Sequence, residues 1–225
     1  MLAGCRMPRL TYAERAARFD AALRTAKARS DADQALLAML ADPVRDWREK
    51  IEIVAALGDV QGPVGSAVIR HAFADATGML ATARPGQRSW LTDLACAAVY
   101  ALCKRDGAAA TDIFVAAAFH PSRDISGYGI HALVSAGDDR AWDDVMTTLG
   151  EILRTKASAG TQRSAQALAA IEYLAGHAGP GTDRAIRLVT LVRDRWRNIG
   201  DRAQAEECWP GIGSGGPPPD TVSLK

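Results

Sequence analysis

Aromatic residues make up only 6% of the 225 positions, so a core built from this chain must rely on Ala, Leu, Val and Ile. Alanine favours helix and lets helices approach closely. β-branched runs of four or more are missing, and so is any stretch of strict apolar–polar alternation. Both absences argue against a sheet. No apolar run reaches the ~18 residues of a membrane span.

Metal and catalytic signatures are also missing. The four cysteines, Cys5, Cys96, Cys103 and Cys208, form no Cys-x-x-Cys pair. Cys96 and Cys103 stand two helical turns apart, too far to bridge. Small, buried, reduced thiols are expected, as in the cytoplasm. His71, His120, His131 and His177 show no ligand spacing, so no zinc site is expected. His71 reads as a semi-buried residue at the inner edge of its helix, and His120 as a turn residue. No Gly-x-Ser-x-Gly or phosphate-loop motif occurs. No cofactor is expected, and the reading leans away from an enzyme. The box Leu2–Cys5 has the form of a lipoprotein cleavage site, but only Met1 precedes it, so lipidation is not expected. Met7 could equally be the start.

An excess of charge of one sign is missing as well: 27 Lys and Arg face 26 Asp and Glu. A duplex binder draws most of its affinity from phosphate neutralisation, and the whole-chain balance gives no such push. The distribution is less even. Residues 1–30 carry seven basic side chains, Arg6, Arg9, Arg15, Arg18, Arg24, Lys27 and Arg29, against two acidic ones. The last strong helix adds Arg184, Arg187, Arg193, Arg195 and Arg197. Nucleic acid therefore stays open as a partner beside the expected one, another protein.

What is there is helical periodicity. Tyr12, Ala16, Phe19 and Leu23 form one stripe; Leu36, Leu37 and Leu40 face inward in the next segment, behind a Ser30 cap. Asp42-Pro43 reads as a helix start, followed by a stripe of Trp47, Ile51, Val54 and Gly58. Pro63 opens a helix with Val64, Val68 and Ala72 inward. Residues 76–88, with Gly78, Pro85 and Gly86, show no sustained period and read as the longest internal loop. Ser89 then caps a helix lined by Leu91, Leu94, Ala95, Ala98 and Leu102. Ile113, Phe114, Ala117 and Ala118 mark the next. Residues 125–136 read as a helix weakened by Gly127 and Gly129, each costing ~1 kcal/mol relative to Ala. Trp142, Val145, Met146, Leu149, Ile152 and Leu153 give the widest stripe. Thr161 and Thr182 cap the last two, the second with Ile186, Val189, Val192 and Trp196 inward. Trp47, Trp142 and Trp196 are expected in the core, while Trp90 and Trp209 are candidates for exposed recognition. Residues 210–225 read as a disordered Gly/Pro-rich tail.

The helices come in pairs joined by short turns, and weak repeats accompany them. Asp139–Val145 (DRAWDDV) matches Asp183–Val189 (DRAIRLV) at an offset of 44. The Gly58-Asp59 turn resembles Gly137-Asp138, and Asp42-Pro-Val-Arg45 resembles His120-Pro-Ser-Arg123. On these residues, over roughly 42–198, the chain resembles the HEAT-repeat and armadillo-like superfamily. The resemblance implies an all-α fold: a right-handed solenoid of antiparallel helix pairs, with an irregular α-bundle as the alternative. The expected organisation is N-terminal helices over 1–41, a repeat domain over 42–209 and the tail. It also implies a non-enzymatic protein-interaction module using the face of the second helices. Arg70, His71, Trp90, Asp112, Arg184 and Arg187 are the candidate binding residues. Two branches of such proteins supply alternatives: alkylpurine DNA glycosylase-like repair and bilin-lyase-like chemistry. No catalytic residue maps onto this chain for either.

Overall fold

The computed structural model describes residues 11–179 and 181–215. Every regular element among them is helical, and no strand occurs among the described residues. The helices are α1 (Tyr12–Lys27), α2 (Ala32–Ala41), α3 (Trp47–Leu57), α4 (Gly65–Leu80), α5 (Pro85–Arg105), α6 (Thr111–Ala118), α7 (Arg123–Ala136), α8 (Trp142–Ile152), α9 (Gln162–Ala178), α10 (Asp183–Asp194) and α11 (Arg202–Cys208). Short 3-10 turns lie at Gly107–Ala110, Asp139–Ala141, Trp196–Asn198 and Ile212–Ser214. The box at 2–5, Arg6, Arg9, Pro180 and residues 216–225 lie outside the described residues. No helix among the described residues is long and apolar enough to cross a membrane.

Local chemistry sets the helix starts. Thr11 and Glu14 close a capping box on α1, each satisfying an amide of the other's end. Thr161 and Thr182 accept from the third residue of α9 and α10, as their positions predicted. Two expected caps move. Asp46, not Asp42, receives the first amides of α3, because Asp42 turns to the amide of Val44. The Ser30 cap gives way to Asp31, and Asp33 swings inward instead.

The largest correction concerns residues 76–88. Where the sequence suggested a long loop, α4 runs on to Leu80 and α5 begins at Pro85, leaving a four-residue link. Pro85 occupies the first turn of α5, where a missing amide hydrogen costs nothing. α4 continues through Gly78, whose ~1 kcal/mol cost relative to Ala is outweighed by the burial of Ile69, Phe73 and Ala76 on the same helix.

One hydrophobic cluster runs from Phe19 to Ile212. α1 and α2 pack on each other and on α3. Beyond them, odd-numbered helices meet in succession: α3 on α5, α5 on α7, α7 on α9, α9 on α11. The even-numbered α4, α6, α8 and α10 each pack against an odd neighbour. The α6–α7 crossing is close because Gly129 has no side chain; a Cβ there would collide with the backbone of Ala117 and Ala118.

The tryptophans sort differently from their stripes. Trp142 is fully buried and donates its indole N–H to Leu174 O at 3.2 Å, as expected of a core residue. Trp47 is 39% exposed and Trp196 only partly buried, whereas Trp209 is fully buried. In α3 the core takes Ile53, Val54, Ala56 and Leu57, and the stripe through Trp47, Ile51 and Ala55 turns away from it. Tyr12 and Ile186, also expected inward, are exposed. In α4 the buried set is Gly65, Ile69, Phe73 and Ala76, the first three each one residue on from the expected Val64, Val68 and Ala72. Within the stretch expected to be tail, Ile212 is fully buried and its turn packs on α10.

Candidate functional site

The residues singled out from the sequence occupy three different settings. On the even-numbered helices, Arg70 of α4 pairs with Asp112 of α6 at 2.8 Å and donates to Ala109 O at 2.6 Å. Arg184 and Arg187 of α10 pair with Asp139 and Asp143 at 3.1 and 3.0 Å. Their guanidinium carbons also lie 5.3 and 5.0 Å from the centre of the Trp142 ring, within cation–π range. The structure thus brings four of the six onto one charged face, tied pairwise between successive even helices and their turns. A cleft of about 260 Å³ opens there, lined by Thr111, Asp112, Val115, Arg140, Ala141 and Asp144. The other two stand apart. His71 is well exposed and 3.2 Å from Asp75 one turn on. Trp90, near the start of α5, is partly buried against the core.

Two of the remaining histidines are locally occupied. His120 Nδ1 accepts from the amide of Ser122 at 3.0 Å, and burial pulls its pKa below the ordinary value. The His177 ring lies 4.6 Å from that of Tyr173, and its Nδ1 is 2.8 Å from Tyr173 O. Among the described residues, no group of three His, Cys, Asp or Glu side chains is placed to hold a metal ion.

A different surface emerges on the odd-numbered helices. α3, α5 and α7 together shape a groove of about 840 Å³. Ile51 and Ala55 of α3, Cys96 and Ala97 of α5 and Gly127 of α7 provide an apolar lining. Tyr100 and Tyr128, each 49% exposed, stand in it, and no atom lies within 4 Å of where a Cβ on Gly127 would be. Trp47 stands one helical turn before Ile51 and extends the stripe. Asp93, Arg123, Asp124 and His131 complete the lining.

The electrostatics of the groove are legible at the Cys96 thiol. Burial pushes its pKa up to about 12, and the carboxylates of Asp124 and Asp93 add to that. Both acids are themselves lining residues of the groove. Neither is joined to a base by an ion pair among the described residues, in contrast to Asp112, Asp139 and Asp143 on the other face.

Sequence reasoning missed this groove because it followed the buried stripes and set the opposite helix faces aside. A signal was present. In a chain with four tyrosines, Tyr100 and Tyr128 both fall off the core stripe of their helices, and Gly127 stands beside one of them.

Chemically the groove offers apolar contact, two phenols and carboxylates. Burial holds the Cys96 thiol in its protonated form, away from the thiolate that a nucleophile needs. The molecule so defined is an all-α helical domain with one charged and one apolar, aromatic-lined face. No family model, no curated protein and no solved structure matches the chain.

Proposed function

We propose that this chain is a docking module: a HEAT-like row of helix pairs that holds a segment of another protein in the groove across α3, α5 and α7. The observation that carries this reading is the contrast between the two faces. On the even-helix face Arg70, Asp112, Arg184 and Arg187 are each engaged in an ion pair, whereas the groove presents Ile51, Ala55, Ala97, Tyr100 and Tyr128 to solvent with carboxylates beside them. Exposed contiguous apolar surface with aromatic anchors is characteristic of a binding patch. The repeat reading is supported by the succession of odd helices. It is also supported by ion pairs that join residues 42 to 45 positions apart: Arg70–Asp112, Lys104–Asp59, Arg187–Asp143 and Arg184–Asp139. In this reading Arg70, Asp112, Arg184 and Arg187 cross-link successive helix pairs and can still meet a partner at their exposed edges.

Site-specific photo-crosslinking in the expressing cell tests the reading. A photoreactive residue at Ala97, in the groove, should capture one defined protein, and the yield should collapse when Tyr100 and Tyr128 are changed to Ala. The same probe at Thr147 on α8 should not. Equal capture at both sites, or capture indifferent to the tyrosines, would overturn it.

A second reading, nucleic-acid binding, draws on Arg193, Arg195 and Arg197, which gather with Trp196 and Asn198 around a cleft of about 510 Å³. Filter binding of a duplex should then weaken steeply with salt. No retention at low salt rules it out.

A further inference from the structure

We infer that the occupant of the α3–α5–α7 groove is a basic, aliphatic segment of another protein, seating an Arg or Lys between Asp93 and Asp124. This rests on the docking reading above and narrows it to a chemistry.

The floor sets the first half of that chemistry. Ile51, Ala55, Ala97 and the open backbone at Gly127 offer dispersion contact and no hydrogen-bonding side chain. They therefore select aliphatic side chains and leave a polar one unsatisfied. Tyr100 and Tyr128 flank the floor with their rings half exposed. Tyrosine is well suited to this role, because its ring gives a large rigid contact while the hydroxyl stays wet.

The charges set the second half. Asp93 of α5 and Asp124, in the first turn of α7, line the same groove from two different helices. Arg123 is the single cation among the lining residues. It adjoins Asp124 along the helix, where adjacent side chains diverge, and it makes no ion pair with either acid among the described residues. Two carboxylates at the edge of an apolar floor attract a guanidinium or ammonium and repel phosphate. Nucleic acid and anionic membrane are therefore poor occupants of this face. The expected order of approach is electrostatic steering of the basic residue first, then apolar seating.

The test uses the full chain and a phage-displayed library of random 12-residue peptides, followed by anisotropy titration of the enriched sequences. The expected result is peptides that combine Lys or Arg with Leu, Ile or Val. Their affinity should fall about tenfold or more in the Tyr100→Ala/Tyr128→Ala variant and in the Asp93→Asn/Asp124→Asn variant. The charge-reversed Asp93→Lys/Asp124→Lys variant should instead enrich acidic peptides. These positions are exposed, so thermal melting should be unchanged, which separates lost binding from lost folding.

Peptides that need the tyrosines but carry no basic residue, and ignore the Asp variants, overturn the chemistry and leave the docking reading in place. Failure to enrich any tyrosine-dependent peptide overturns both. Concentration-dependent self-association that Tyr128→Ala abolishes makes a second copy the occupant, and that too overturns the inference.

Discussion

Asp33 of α2 and the last residue of α5, Arg105, meet in the interior, 3.4 Å apart, each with 3% of its side chain exposed. Asp33 Oδ2 accepts the amides of Val64 and Gly65 at 2.9 and 3.2 Å, while Oδ1 has no hydrogen bond of its own. The Arg105 guanidinium donates to Leu57 O, Val60 O and Gly62 O at 2.8, 2.5 and 2.5 Å. One buried ion pair therefore holds the whole α3–α4 link against two other helices.

Removing one partner should leave a buried charge without its counter-ion, which costs ~3–5 kcal/mol. Asp33→Ala and Arg105→Met should each lower the unfolding free energy obtained from urea denaturation by an amount in that range. Because they remove the same interaction, the double variant should lose clearly less than the sum. Strict additivity in the double-mutant cycle would show that the two side chains act separately.

Gly127 and Gly129 lie two residues apart on α7 and should respond to alanine with opposite signs. Gly127 faces open space, so Gly127→Ala should stabilise by ~0.5–1 kcal/mol through helix propensity alone. Gly129→Ala would drive a methyl into the backbone of Ala117 and Ala118, and overpacking of this kind costs ~1–3 kcal/mol or more. Chemical denaturation of the two variants checks this, and equal effects would contradict the α6–α7 crossing.

Asp59 accepts from both Lys104 and Lys27, and these two bonds, Lys104 first, hold its pKa below the ordinary 3.8. A carboxyl depressed in the folded state stabilises above its unfolded value. That contribution fades as pH falls through the folded value. The gap in melting temperature between the protein and Asp59→Asn should therefore be full above about pH 4 and close progressively below it. A gap that stays constant across the acid range would remove Asp59 from the tie between α1 and α5.

The Cys96 thiol, buried and with its pKa pushed up to about 12, should resist alkylation by iodoacetamide at pH 8 in the folded protein and react on unfolding in urea. Peptide mass spectrometry, with partly buried Cys103 as the internal comparison, reads the difference. Equal labelling of both in the folded protein would mean that the Cys96 thiol itself is open to solvent.

How much of this was legible in the sequence varies with the physics behind each feature. Helical periodicity, the Thr161 and Thr182 caps and burial of Trp142 follow from local rules and were readable. The α4–α5 segment was not, because Gly78 costs α4 only ~1 kcal/mol, which the burial of Ile69, Phe73 and Ala76 outweighs, and Pro85 opens α5 where its missing amide hydrogen is not needed. The fate of the other tryptophans depended on which face of α3 met its neighbours, and two stripes there competed: Ile53–Leu57 and Trp47–Ala55. Trp209 was hidden in plain polar company, since its burial comes from the partners it packs on rather than from its own helix. The groove needed three helices in register, so no single window of sequence held it. Arg70 and Asp112 were singled out separately, and only the fold revealed that they answer each other.

Trp209 and Ile212 are both fully buried in the common hydrophobic cluster, where α11 meets α9 and the turn at Ile212–Ser214 folds onto α10. This short segment is therefore fastened by burial and not by helix length, and cutting the chain before Trp209 would lay bare apolar surface on the helices it covers.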